Sequence, residues 1–344
     1  MNVDRVLLAE PRGFCAGVEM AIKALAWMVR IFEEPVYCYH EIVHNRLVVD
    51  EFTRQGVIFV DTIDEVPAGA PLMLSAHGSA PEVEHAAALF DRVVVNAVCP
   101  LVTKVHHELK VRANKGYTVI YVGHAGHEEA IGTMSVAPSV VRLVESEEEV
   151  DALEDLGSPV ALLAQTTLPH DEWSGIASRA KERFPDLWMP GRSDLCYATT
   201  NRQAALRAIA GQCDAVIVIG SANSSNTVSL THVASSVGCP RVLRINAASE
   251  LPDDLEGIVG VTAGASAPEW LVDEVVEYLS PKNGTERVQA IEEDEYFPPP
   301  HQLRDLLRTV WSAASLALAV VPDGLPPSNE DRNVAAATML AHSG

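Results

Sequence analysis

The chain is short of basic residues: 25 Lys and Arg face 47 Asp and Glu in 344 residues, leaving a formal net charge of −22. Affinity for nucleic acid rests on cations that displace counterions from phosphates. A surface of this sign therefore excludes a nucleic-acid binder working through a basic face. Long apolar runs are missing too. None reaches the roughly 20 residues that cross a bilayer, so no membrane role is expected. The stretch Met1 to Glu10 lacks the basic start and extended apolar core of a secretory signal, and a cytoplasmic location is expected. Cysteine is sparse. Six residues, Cys15, Cys38, Cys99, Cys196, Cys213 and Cys239, are spread along the chain, a poor basis for a disulfide framework. Metal binding, catalysis or plain burial must account for them. What the chain does have is apolar content. At 48% hydrophobic and 21% charged residues it can bury a large core, which excludes wholesale disorder, and a soft prior of roughly 150 residues per domain suggests two or three units.

One order of elements is written three times. Each round opens with a cysteine just after an apolar, strand-like run: Arg5 to Ala9 before Cys15, Arg92 to Val95 before Cys99, Leu187 to Met189 before Cys196. A helical stretch follows each cysteine (Val18 to Ile31, Val102 to Ala113, Asn201 to Ala210), and then a second strand (Val36 to Tyr39, Tyr117 to Val122, Ala215 to Ile219). The spacing from cysteine to that strand is 21, 18 and 19 residues. Further strands are expected at Gly56 to Val60, Val140 to Val144 and Arg241 to Ile245, and again at Pro71 to Ala76, Pro159 to Ala164 and Gly257 to Thr262. Each of the last set runs into a helix start: Ser79-Ala80-Pro81-Glu82, Thr167-Leu168-Pro169 and Ser266-Ala267-Pro268-Glu269. The first and third read as capping boxes with Ser at the N-cap, and all three N-termini are expected to be open to anions.

The strand missing from the third round is supplied by the chain's beginning, so Arg5 to Ala9 is expected to pair into the third lobe. The fold class expected is α/β, with three pseudo-threefold-related lobes of mainly parallel sheet in a ring. The lobes are taken as 14–98, 99–195, and 196–280 with 1–13. The remainder, 281–344, reads as a tail: an acidic and Pro-rich linker from Gly284, one amphipathic helix from His301 to Val320, and a Pro-rich stretch from Pro322 to Ser328. In parallel sheets ligands sit at the carboxyl ends of strands, where Cys15, Cys99 and Cys196 fall.

Three cysteines at equivalent points of such a ring can converge on its axis. Thiolates suit an iron-sulfur cluster or zinc, and three protein ligands leave one metal position open for reaction. Each stands at a helix start, where the helix dipole favours a thiolate. Cys38, Cys213 and Cys239 lie in or beside strands and read as buried core. The other strand ends gather polar side chains: His44-Asn45, then His124, His127 and Glu129, then Ser224-Ser225-Asn226; and, from the later strands, His77, Thr166-Thr167 and Ser266. Imidazoles, hydroxyls, an amide and helix N-termini with few Lys or Arg suit a phosphate or diphosphate held by neutral donors and protonated histidine. Clustered Asp for a magnesium clamp is lacking. Glu129 is the carboxylate placed to donate protons.

These residues resemble a known family. Pro11-Arg12-Gly13-Phe14-Cys15-Ala16-Gly17-Val18, Val43-His44-Asn45, Ser75-Ala76-His77-Gly78, Cys99-Pro100-Leu101-Val102-Thr103-Lys104-Val105-His106, Gln165-Thr166-Thr167-Leu168, Cys196-Tyr197-Ala198-Thr199-Thr200-Asn201-Arg202-Gln203, Ser224-Ser225-Asn226 and Thr262-Ala263-Gly264-Ala265-Ser266-Ala267-Pro268 are similar, in order, to the motifs of the 4-hydroxy-3-methylbut-2-enyl diphosphate reductases, which end the methylerythritol phosphate route to isoprenoids. The likeness runs from about Val6 to Leu279. It implies a trefoil around a 4Fe-4S cluster on Cys15, Cys99 and Cys196, with the substrate hydroxyl on the open iron. It also implies a diphosphate held by His44, His77, His127, Ser224, Ser225, Asn226 and Ser266, proton supply by Glu129, and Thr166 close to the hydroxyl. Electrons would come singly from ferredoxin or flavodoxin. Glu128, Val98 and Asn96 depart from the family's usual Pro, Thr and Asp, and none of the three is a ligand. Two other classes would share these residues: a zinc hydrolase on the same three cysteines, and a non-catalytic sensor that keeps the cluster and binds isoprenoid diphosphates.

Overall fold

The computed structural model describes residues 1–89, 92–157, 159–318 and 331–341. The chain forms two compact units, Met1–Cys15 with Leu101–Asp294, and Ala16–Pro100 with Glu295–Gly344.

In the second of these units, α1 (Ala16–Ile31) leads to β2 (Tyr37–Tyr39), numbered after the chain's opening strand β1 (Asn2–Glu10). Then come α2 (Arg46–Arg54), β3 (Ile58–Val60), β4 (Leu72–Leu74), α3 (Pro81–Ala88) and β5 (Val94–Asn96). The four strands make a wholly parallel sheet in the order β3-β2-β4-β5.

The first unit holds two more sheets. After α4 (Pro100–Asn114), whose first residue belongs to the other unit, come β6 (Thr118–Val122), α5 (Glu128–Met134), β7 (Val141–Val144), α6 (Glu147–Ala152), β8 (Val160–Ala164) and α7 (His170–Arg183). The sheet order is β7-β6-β8, again parallel. The expected strand at Leu187 to Met189 is reduced to one parallel bridge, Ala161 to Trp188, with Leu162 N–H donating to Trp188 O at 2.9 Å. Its position beside β8 matches that of β5 beside β4. The final round runs α8 (Tyr197–Ala210), β9 (Ala215–Ile219), α9 (Ser225–Ser236), β10 (Val242–Ile245), β11 (Glu256–Ala263), α10 (Glu269–Leu279) and β12 (Thr285–Gln289). Here the order is β10-β9-β11-β1-β12. The opening strand pairs in parallel with β11, Asn2 opposite Glu256 and Leu8 opposite Val261. All three sheets thus place their strands second, first, third, fourth, and the threefold reading of the sequence holds at the level of topology.

Parallel strands covered on both faces read as unbroken apolar runs. β8 and β9 are buried along their whole length. Alternation sorts the side chains of β6 and β8: Ile120, Val122, Leu162 and Ala164 join one core cluster, and Val119, Tyr121, Ala161 and Leu163 the one on the opposite face. Each fully buried Leu or Ile contributes about 1.5–3 kcal/mol.

Three details depart from the sequence reading. The stretch after Gly284 is not all linker. β12 forms a fifth, largely exposed strand on β1, its charges bonded across by Arg5 to Glu286 and Arg287 to Glu10. The capping boxes do not form, because α3 begins at Pro81 behind Ala80 and α10 at Glu269 behind Pro268, with no side-chain cap at either. A proline's fixed φ suits the helix entry in both cases and moves the start past the serine. Of the tail, α11 (His301–Leu318) matches the expected helix as far as Leu318, and α12 (Ala336–Ala341) was not anticipated. The remainder of that helix and the Pro-rich stretch 322–328 lie outside the described residues. Among the described residues, no helix is long and apolar enough to cross a membrane.

Candidate active site

Each of the three repeat-equivalent cysteines immediately precedes a helix: Cys15 before α1, Cys99 before α4, Cys196 as N-cap of α8. Each is held by the same backbone bond. Cys99 N–H donates to Ala76 O at 3.0 Å, Cys196 N–H to Thr166 O at 2.9 Å and Cys15 N–H to Ala265 O at 3.1 Å. Those carbonyls lie two residues beyond β4, β8 and β11. At the third, Gly264 lets the strand end pass against α9, because a Cβ there would collide with the Thr227 hydroxyl.

Thiol chemistry is clearest at Cys196. Its Sγ accepts from Thr199 N–H at 3.2 Å and lies 3.0 Å from the Thr199 hydroxyl. Burial pushes this thiol up to about 11, the nearby Cys15 adds to the rise, and Thr199 and Arg202 oppose it. Desolvation therefore outweighs the helix-start advantage expected from sequence. At neutral pH the group becomes a thiolate when a metal displaces its proton.

Around Cys196 a buried polar network joins most of the remaining candidates in this unit. Glu129 is 3% exposed. Its Oε1 accepts from Thr166 N–H at 2.7 Å and its Oε2 pairs with the Thr166 hydroxyl at 3.1 Å. His127, the N-cap of α5, accepts Glu129 N–H on Nδ1 at 3.2 Å. Burial raises the Tyr121 phenol well above its ordinary range, and the Glu129 charge raises it further. Ser224 caps α9. Ser225 Oγ accepts from Gln165 Nε2 at 3.3 Å. Asn226 joins two loops, its Oδ1 accepting from Ala265 N–H at 2.9 Å and its Nδ2 donating to the Thr199 hydroxyl at 3.4 Å. Ser266 follows Ala265 and is buried.

In the other unit the rings of His44 and His77 stack, centroids 3.8 Å apart and 12° from parallel. Glu41 lies 3.4 Å from His44 Nδ1, and Asn45 caps α2 by accepting from Leu47 and Val48 N–H. Asn96, the departure near Cys99, has a clear part here: Oδ1 accepts from Val98 N–H at 3.0 Å and Nδ2 donates to Glu84 at 2.9 Å. An aspartate could not make the second bond. Glu128 opens α5 and is half-buried. Val98 has no explanation in the structure.

Sequence reasoning missed several supports. Gln165 links His124 N–H, Thr167 and Ser225. Asp194, buried two residues before Cys196, accepts from Ala164 N–H at 3.2 Å and from Lys104 at 3.3 Å. Burial raises its carboxyl, against the pull of Lys104. Cys38, Cys213 and Cys239 are buried as expected.

A parallel α/β protein with three anchored cysteines at helix N-termini and a buried carboxyl among hydroxyls has the parts of a metal-dependent enzyme. The family model "LytB protein" matches residues 6–280, and the chain belongs to this family. It is 45% identical over 310 residues to 4-hydroxy-3-methylbut-2-enyl diphosphate reductase of Rhodopirellula baltica, spanning 88% of this chain and 97% of that protein. It is 47% identical over 307 residues to the enzyme of that name from Rhodococcus jostii, 87% and 91% of the respective lengths. Among solved structures it is similar to the E-1-hydroxy-2-methyl-but-2-enyl-4-diphosphate reductase of Plasmodium falciparum, with TM-score 0.86 and 32% identity over 90% of this chain and 99% of that one.

Proposed function

We propose that this LytB-family reductase converts (E)-4-hydroxy-3-methylbut-2-enyl diphosphate to isopentenyl and dimethylallyl diphosphate, using a 4Fe-4S cluster on Cys15, Cys99 and Cys196. The reaction takes two electrons and two protons and releases the hydroxyl as water. The observation that carries the cluster is the thrice-repeated bond from a cysteine N–H to a strand-end carbonyl. It ties each proposed ligand's backbone to a strand end, the kind of outer support that orients metal ligands. The donor set fits: thiolates suit iron-sulfur clusters, and the Thr199 N–H at the Cys196 sulfur is the kind of hydrogen bond that tunes them. When bound, such a cluster supplies single electrons and an open iron that polarises the hydroxyl.

The chain's own residues do the rest. His44, His77, His127, Ser224, Ser225, Asn226 and Ser266 bind the diphosphate through imidazole, hydroxyl and amide donors. Glu129 carries the proton on Oε2. Its other oxygen is committed to the Thr166 amide, which can only donate, whereas the Thr166 hydroxyl can turn and accept from a protonated carboxyl. Ferredoxin or flavodoxin delivers the electrons, and the protein works in the cytoplasm.

Anaerobically purified protein is expected to be brown and to hold about four irons. With dithionite and a redox dye it is expected to convert the allylic alcohol to both products. Colourless protein with one zinc would overturn the cluster, and a loaded cluster that binds substrate without forming product would favour the non-catalytic sensor over the reductase.

A further inference from the structure

Arg202 is among the largest fully buried side chains of the described residues, and the reaction gives it no task. It lies on α8, past Cys196. Its Nε and Nη2 donate to Gly13 O at 3.0 and 2.7 Å, and Nη2 also reaches Phe14 O at 3.2 Å. Its Nη1 donates to Ala198 O at 3.0 Å and to the Glu293 carboxylate at 3.1 Å. One planar fork thus ties the two carbonyls just ahead of Cys15 to the first turn of the helix that Cys196 caps. The Cys15 loop is pinned from its other side by Gly13 N–H to Ala263 O at 3.2 Å, and Gly13 takes a left-handed φ of 71°.

Glu293 comes from the acidic stretch after β12 and neutralises the buried guanidinium, its position shared with Asn201 Nδ2 at 3.0 Å. Removing one member of such a pair leaves a charge buried without compensation. Phe14, Arg202 and Glu293 together line a cavity of about 320 Å³.

We propose that Arg202, held by Glu293, is a positioning residue that locks the Cys15 and Cys196 loops to each other and so sets how firmly these two thiolates grip the cluster. The proposal rests on the cluster reading above. Lysine keeps the charge but lacks the fork that meets three carbonyls. Partners in a metal site's outer shell typically change metal affinity by roughly 10- to 100-fold.

The test compares anaerobically reconstituted wild type, Arg202→Lys and Glu293→Gln. The readouts are iron and sulfide per chain, the electron paramagnetic resonance spectrum, and the rate at which a ferrous chelator strips the cluster, with thermal melting of the metal-free chains alongside. Both variants are expected to load, to show altered spectra and to lose iron about tenfold faster or more, Arg202→Lys the more severely, the faster release exceeding what any loss of metal-free stability accounts for. Wild-type spectra and release rates in both variants would overturn the proposal. So would faster release matched in both by an equal loss of metal-free stability, which would make the clasp a matter of fold alone. Iron-free wild type would instead overturn the cluster reading, and the clasp with it.

Discussion

Where β4 ends, the chain passes through Ser75 and Ala76 and presents His77; where β8 ends, it passes through Gln165 and Thr166 and presents Thr167. In both lobes the second residue past the strand accepts the N–H of the cysteine that opens the next round. That task uses a carbonyl, so the side chain is free to differ. Ala76 precedes His77, whose ring stacks on that of His44, whereas Thr166 grips the buried Glu129 through both its amide and its hydroxyl. A recurring backbone bond can carry different side chains, and on the function proposed above one strand end serves the anionic charge with imidazole and the other the proton transfer with a carboxyl.

The shared feature is the place to break this comparison hardest. Cys99→Ala and Cys196→Ala, one from each lobe, are each expected to reduce bound iron and turnover to background in anaerobic preparations, whereas Cys38→Ala within β2 leaves the iron content unchanged. The divergence comes next. Glu129→Gln keeps the Thr166 bonds and removes the exchangeable acid, so turnover is expected to fall at least roughly a hundredfold while substrate still binds in calorimetry. Glu128→Gln is expected to stay within a few-fold of wild type. If the neighbour proved the crippled variant, the division of labour between the lobes would be wrong.

His77→Ala tests the other side. Losing a charge-assisted hydrogen bond to an anion costs about 1.5–3 kcal/mol, so KM is expected to rise about tenfold or more with kcat nearly unchanged. A selective loss of kcat would place His77 in the proton chemistry instead.

The last effect concerns stability and leaves turnover at neutral pH unchanged. Burial holds His106 on α4 down at about 4. Between pH 6.5 and 4 the unfolded chain binds more protons there than the folded one. This contribution is therefore complete above pH 6.5 and is lost as pH falls toward 4, by up to about 3 kcal/mol. His106→Gln should flatten that part of the stability-against-pH curve in urea titrations, and an unchanged slope would show that the ring is not desolvated in solution.

The apolar runs and the recurrence of cysteine were enough to read β2, β4, β6, β8, β9 and β11, and to see that β1 completes the third sheet, because buried parallel strands are written as continuous Val, Ile, Leu and Ala. β12 was not legible. Thr-Glu-Arg-Val-Gln is an exposed edge strand whose pairing depends on a partner at the far end of the chain. Of the residues proposed for the site, Cys196, Glu129 and His77 stood out by chemistry and position. Their supports did not, since Gln165, Asp194 and Arg202 act through partners distant in sequence, and Glu293 sat in what reads as an acidic linker. α8 carries two arginines, Arg202 and Arg207, and nothing in the sequence marks the first as the buried one.

The place of β1 between β11 and β12 also has a consequence for the order in which the molecule can be made. Asn2 pairs with Glu256 and Glu10 with Gln289, so at a synthesis rate of roughly 5–20 residues per second this strand waits on the order of tens of seconds for its neighbours. Throughout that interval its apolar stretch, Val6 to Ala9, is exposed to the nascent chain and the cell. The peptide bond that will fix Cys15 has no Ala265 to meet. The sheet of β6, β7 and β8 can close while translation continues, the third sheet waits for β11 and β12, and the unit of β2 to β5 is completed only by Glu295–Gly344. A metal centre that includes Cys15, as proposed above, can then mature only on a nearly finished polypeptide, and a chain truncated before β11 lacks the Ala265 carbonyl that holds the Cys15 N–H.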